Sequence, residues 1–445
     1  MQRRRHLQLL GLAGLGLASP LIRSQALALP ATGADTRFLL VFLRGGYDAA
    51  NVLVPSASDF YYAARPTIAI RRPAAAGGLP DPQAAVALEG EGASGWGLHP
   101  ALSATLMPLW QQRQIAFIPF AGTEDLSRSH FETQDSVEAG LPLPGDHAQA
   151  GNASALRGTG FLNRLAGAMG GRAAPVAFTD GLPAVLAGPA SVPNVSLKGT
   201  GRTPFDARQS QLFAEMYKGT RFESVIAEGF ELRQTVAQEA EAMQKRAAAL
   251  HEGGAGADMA APSMAARMQE MDAANRRSLS AKGFELEARR MAGLMRDRFN
   301  LGFIDVGGWD THVNQGGAQG QLANLLQNLG AGIAGFAEES GPAWNKTVLV
   351  VVSEFGRTFR ENGTRGTDHG HGTVYWVAGG AVRGGRLAGE QVAVNAATLN
   401  QNRDFPVLNE YRAVLGGVFR RIYALDDARL AQVFPGVRPV DIGLV

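Results

Sequence analysis

The residues best suited to chemistry in this chain fall just after apolar runs. The longest such stretch, residues 347–372, reads TVLVVVSEFGRTFRENGTRGTDHGHG. Its first seven residues are too apolar on both faces for an edge strand, and they predict a parallel strand covered by helices on either side. Glu354 and Arg357 follow at once, and a Gly/Asn-rich loop then brings Asp368, His369 and His371. The same order recurs twice. An apolar run at 37–43 ends in Arg44-Gly45-Gly46-Tyr47-Asp48, and another at 301–306 ends in Gly307-Gly308-Trp309-Asp310-Thr311-His312. In open α/β sheets, ligands sit beyond the carboxyl ends of the strands. The chain contains no cysteine, so a metal there must be held by histidine, carboxylate, hydroxyl or amide groups.

Each group also has a plainer role. Asp48 is a candidate metal ligand and Arg44 a candidate anion holder, yet an aspartate in such a turn commonly satisfies turn amides. Asp310 and His312 can chelate one ion from a single loop. Ser129, in GTEDLSRSHFETQ, is read as the first residue of a helix running to about residue 139. There the unpaired amides and helix dipole would favour an alkoxide and an incoming anion. With Glu132 three residues on, the same serine equally reads as a capping box. His99, before a proline at a helix start, reads as a positioning residue. Of eight histidines in the chain, His312, His369 and His371 fall inside these motifs. That concentration points to a functional site with Asp48, Asp310, His312, Glu354, His369 and His371 around metal, and Ser129, Arg44 and Arg357 around substrate.

The elements that must position these groups are those of an α/β protein. The chain has 445 residues, 45% apolar and 18% charged, enough for one large α/β domain with an insertion or for two domains. Strands are expected at 37–43, 67–70, 115–120, 174–178, 192–197, 301–306, 347–353 and 374–378. An extended segment is expected at 51–55, and helices at 101–112, 160–170, 320–340 and 410–423. Residues 204–300 are rich in Ala, Glu, Gln, Met and Arg at helical spacing and read as a helical insertion capping the active edge. Residues 1–28 read as a cleaved leader: Arg3-Arg4-Arg5, an apolar stretch at 7–18, and a small-x-small site at 26–28. The arginines before a mildly hydrophobic core favour the twin-arginine export machinery and a periplasmic or extracellular destination. The apolar stretch is short for a span, so no stable membrane span is expected in the mature form. Formal charge is +2, but without the four arginines of the leader 38 basic residues face 40 acidic ones. Nothing in that balance points to nucleic acid.

FLRGGYDAANVLVP, GLHPAL, SRSHFETQD, GWDTHVNQG and SEFGRT with GTDHGHG resemble an exported bacterial family catalogued as domain of unknown function 1501. That family is in turn similar to the alkaline phosphatase and sulfatase superfamily. The resemblance implies a three-layer α/β/α fold with a largely parallel central sheet, up to two metals, and a Ser, Thr or modified nucleophile. Asp48 would match the first-strand ligand and Ser129, with Ser127 as alternate, the nucleophile. Asp310 and His312 would match an Asp/His pair completed by His371 or His369, and Glu354 would match a later carboxylate. Phe355 stands where a histidine is expected, so a second metal is weak or missing, or Asp368 and His369 supply it. No sulfatase Cys/Ser-x-Pro-x-Arg pattern surrounds Ser129.

The reading is an exported metal-dependent hydrolase of phosphate or sulfate esters. It would use one or two divalent ions, zinc or manganese before calcium, on an anionic small-molecule or glycan ester. The alternatives are a non-catalytic exported binding protein that keeps the fold, and a phosphoryl transferase.

Overall fold

The computed structural model describes residues 36–74, 79, 81–143, 153–197, 215–220, 223, 279–280 and 283–445. The expected leader and most of the expected insertion lie outside them. Residues 215–220 and 223 fall in a separate small unit, where the Gly219 amide donates to Glu223 Oε2 at 2.6 Å. The larger unit carries the central sheet.

Its sheet is mixed and mostly parallel. Strand β1 (Arg37–Leu43) lies between β4 (Leu301–Gly307) and β5 (Thr347–Ser353), parallel to both. Outside β4 runs the parallel β3 (Pro175–Ala177). On the other side β6 (Thr373–Ala378) is antiparallel to β5 and to β2 (Ile115–Gly122). The order is therefore β2-β6-β5-β1-β4-β3, with Arg386–Leu387 beyond β2. Every residue of β2, β4, β5 and β6 is buried, which explains their largely apolar sequences: both faces are covered.

Phe38, Leu40, Phe42, Leu301, Phe303, Val348 and Val350 share one core with helices Phe161–Met169, Tyr411–Tyr423 and Asp427–Val433. On the opposite face Phe284–Asp297 and Gln321–Ser340 pack against each other. Gly332 makes that close approach possible, because a Cβ there would come within 2.3 Å of the Phe284 ring. The described end of the segment read as an insertion is thus a helix of the main layers. Among the described residues no helix is long and apolar enough to cross a membrane.

Local differences from the sequence expectation have physical causes. The segment at 51–55 begins as a helical turn, Ala49–Val52, before the short strand Leu53–Val54. Residues 67–70 form no strand, because Glu361 takes the amides of Thr67 and Ile68 at 2.9 and 3.1 Å. Residues 192–197 contribute a single bridge, Asn194 to Ala177. The register matters most for function. Leu43 pairs with both Val306 and Ser353, so β1, β4 and β5 end level and release their next residues at one edge.

Candidate metal centre

Four connections meet at that edge. Strand β4 runs into Asp310 and His312, β5 into Glu354 and Arg357, and the loop before β6 carries Asp368 and His369. From β2 the chain passes through a loop into helix α1 (His130–Ala139), capped by Ser129. The β1 turn makes room for the crossing. Gly45 has φ +122, and a Cβ there would lie 2.6 Å from the Asp310 backbone nitrogen. Only glycine meets both demands.

The centre is the Asp310 carboxylate, 9% exposed. His312 Nε2 lies 2.8 Å and His369 Nε2 3.3 Å from Asp310 Oδ1, and His130 Nε2 lies 3.5 Å from Oδ2. His312 Nε2 and His369 Nε2 are themselves 3.0 Å apart. The far side of each ring faces an acceptor. His130 Nδ1 is 2.8 Å from Glu354 Oε1, His369 Nδ1 is 3.0 Å from the Arg128 carbonyl, and His312 Nδ1 is 3.4 Å from Asp368 Oδ1. For His130 and His369 those acceptors take a proton from Nδ1, whereas His312 Nδ1 also lies 3.4 Å from the Arg357 Nη1 donor. A protonated Nε2 would donate to that carboxylate, and an unprotonated one would turn a lone pair on it that a cation between them could satisfy. His130 Nε2 is buried without a hydrogen-bond partner. Among the described residues His130, Asp310 and His369 each offer a ligand atom within 4.8 Å of the others, so this group could hold a metal ion.

Electrostatics say the same. Burial disfavours charge on the His130 ring, but the carboxylates of Asp310 and Glu354 outweigh it and raise its pKa to about 9. Burial likewise raises Glu354, yet hydrogen bonds from His130 and Gln134 bring it down to about 2. Asp310, despite burial, is held far below the usual carboxylate range by the three imidazoles and the Arg357 charge. The site demands positive charge, which a proton or a divalent cation can supply.

The residues expected around metal divide accordingly. Asp310, His312 and His369 come together. Glu354 stands behind His130, fully buried, with Oε1 also accepting from Gln134 Nε2 at 2.8 Å and from the Gly45 amide at 2.7 Å. It orients a ring instead of facing Asp310. Asp48 lies in a separate buried network, bound through Oδ2 to Arg65 at 2.5 Å and Gln315 at 2.6 Å, while Oδ1 has no partner. His371 is buried and faces Arg128 and Asp125; burial and the Arg128 charge lower its pKa to about 4.

Of the residues expected around substrate, both arginines are engaged. Arg44 donates to Asp305 at 2.6 Å and to Gln134 and Glu138 at 2.8 Å. Arg357 is fully enclosed and donates to Asp310 and to the carbonyls of Gly45, Gly46, Trp309 and Thr367. Ser129 Oγ accepts from the Glu132 amide at a long 3.5 Å, a helix cap directly beside His130. Ser127 Oγ pairs with Thr133 Oγ1 at 3.0 Å. Sequence reasoning passes over His130, treating its helix only as a setting for Ser129. The available signal was its adjacency to that serine in a chain with so few histidines.

Comparison with curated proteins returns no match, and neither does comparison with solved structures. A family model does match, across residues 35–434, a span that contains every residue of the Asp310 cluster. The chain belongs to that family, described as protein of unknown function, DUF1501.

Proposed function

We propose that the protein is an exported, metal-dependent hydrolase of phosphate or sulfate esters, built on an alkaline-phosphatase-like α/β/α scaffold. One observation carries the reading: three imidazole Nε2 atoms turn toward a single buried carboxylate, and each ring is fixed from behind. His130, Asp310 and His369, with His312 beside them, would hold one divalent ion. Imidazole with carboxylate and no thiolate suits zinc or manganese. When bound, such an ion supplies Lewis-acid charge beside the ester.

The protein's own groups do the rest. Glu354 and the Arg128 carbonyl fix the rings of His130 and His369, and Arg357 holds the Asp310 carboxylate in place. Ser129 is the proposed nucleophile. It sits one residue before His130, at the start of a ten-residue helix whose first amides favour negative charge. The mostly parallel sheet with one antiparallel strand, and ligands leaving its carboxyl edge, support the scaffold assignment. Export rests on the leader sequence alone.

The test is elemental analysis of the purified full chain, together with hydrolysis of aryl phosphate and aryl sulfate. About one zinc or manganese per chain is expected, lost in Asp310→Asn. Ser129→Asn keeps a helix cap but has no hydroxyl, so it should retain metal and lose turnover. A folded protein that takes up no metal would overturn the reading. Metal uptake with no hydrolysis would leave a binding protein instead.

A further inference from the structure

With Arg44 and Arg357 both enclosed, an anionic substrate must be held by other groups, and a second set of arginines borders the metal cluster. We infer that Arg128, Arg360 and Arg403 form a subsite for a second anionic group of the substrate, so that the ester is a polyanion. This rests on the hydrolase reading above and specifies its substrate class.

The three guanidinium groups surround one turn, Gln401–Asp404. Arg128 Nη2 donates to Asp404 Oδ2 at 2.8 Å and lies 3.3 Å from Gln401 Oε1. Arg403 Nη1 lies 3.7 Å from the same Asp404 carboxylate. Arg360 donates to the carbonyl and side chain of the neutral Asn402 at 2.5 and 3.1 Å, with its guanidinium over the Phe60 ring. Asp404 is fully buried and shared between two arginines, so positive charge is in excess around the turn. That charge is reachable: the side chains of Arg128 and Arg403 are 24% and 38% exposed, and Arg360 is exposed.

Two of these arginines touch a proposed ligand. His369 Nδ1 faces the Arg128 carbonyl at 3.0 Å, and Arg403 Nη2 donates to the His369 carbonyl at 2.9 Å. Arg128 Nε is buried without a partner, as is Asp404 Oδ1. The backbone is strained at the same place: Arg128, Gln401 and Asn402, none of them glycine, have φ of 54, 53 and 53. Guanidinium is the side chain best matched to phosphate, sulfate and carboxylate oxygens.

The experiment compares two non-hydrolysable probes, phenylphosphonate and 1,3-phenylenediphosphonate, binding to the zinc-treated full chain in a calorimeter. The diphosphonate should bind about tenfold more tightly, the worth of one charge-assisted contact, and the advantage should shrink as salt rises. It should fall to about one in Arg360→Gln/Arg403→Gln, with zinc content as the check that the cluster is intact. Arg360→Glu, a change at an exposed side chain, should give the same loss without touching His369. Equal binding of the two probes, or an advantage that survives both variants, overturns the inference while leaving the hydrolase reading in place. Zinc uptake with neither probe binding overturns both.

Discussion

Two buried aspartates at neighbouring strand ends solve the same problem in opposite ways. Asp48, after β1, is neutralised by Arg65, whose side chain is completely buried and which also bonds Asn51 Oδ1 at 3.0 Å and the carbonyls of Phe359 and Thr358 at 2.7 and 3.2 Å. Asp310, after β4, is met by an arginine on one side and by three imidazoles on the other. An arginine is a fixed cation, always charged and covalently part of the fold. Imidazoles can take up a proton or hold a cation drawn from solution, so the charge around Asp310 is exchangeable where that around Asp48 is fixed. The contrast gives Asp48 a fixed countercharge and Asp310 an exchangeable one, although sequence presents them as equivalent.

The comparison breaks most visibly at Arg65. Arg65→Met leaves the Asp48 carboxylate buried without a countercharge, and removing one member of a buried pair costs about 3–5 kcal/mol. The expected outcome is a loss of that size in chemical denaturation, most of it recovered in Arg65→Met/Asp48→Asn, where no charge remains. Zinc content per folded chain should be unchanged in both. If Arg65→Met instead loses metal at full stability, Asp48 belongs to the centre and the contrast fails.

A second test uses the histidine on the Asp48 side. His99 is buried, accepts from the Ala101 amide through Nδ1 at 3.0 Å, and faces the Gly317 carbonyl through Nε2 at 3.1 Å. That is the neutral ring, and burial lowers its pKa from 6.5 to about 4. The folded value lies below the unfolded one, so between them the unfolded chain binds the extra proton. Stability from this group is therefore present above pH 6.5 and lost as pH falls toward 4. The loss is on the order of 3 kcal/mol over that window. His99→Gln should flatten this part of the stability–pH curve; an unchanged slope would mean that His99 titrates freely.

What was legible in the sequence follows the same division. Apolar runs ending in glycine pairs placed β1 and β4, and the level register of β1, β4 and β5 brought Asp310, His312 and His369 together as their positions suggested. The partners were hidden. Arg65 lies on a surface-like stretch only 17 residues from Asp48, with nothing in its neighbourhood to mark it as fully buried. Asp305 sits inside the apolar run of β4, facing Arg44. His130 has no spacing signature, because the side chains it meets, Asp310 and His369, lie far along the chain and only the fold brings them together. Whether a carboxylate meets a cation of the protein's own is decided by tertiary contacts, which periodicity does not encode.

The sharpest remaining test is Glu354, a carboxylate placed behind the His130 ring instead of beside Asp310. Glu354→Gln keeps shape, and its amide oxygen can still accept from Gln134 or the Gly45 amide. Yet the side chain no longer carries the charge that fixes the proton on His130 Nδ1. If the new amide donates to Nδ1, the ring proton moves to Nε2 and the lone pair turned toward Asp310 is lost. Removing a group that orients a ligand in this way typically costs 10–100-fold in metal affinity. Zinc competition against a chromogenic chelator should show a loss in that range, while denaturation of the chelator-treated protein keeps its cooperative transition. Unchanged affinity would mean that His130 is not a ligand. The ion would then be held by Asp310, His312 and His369 without it.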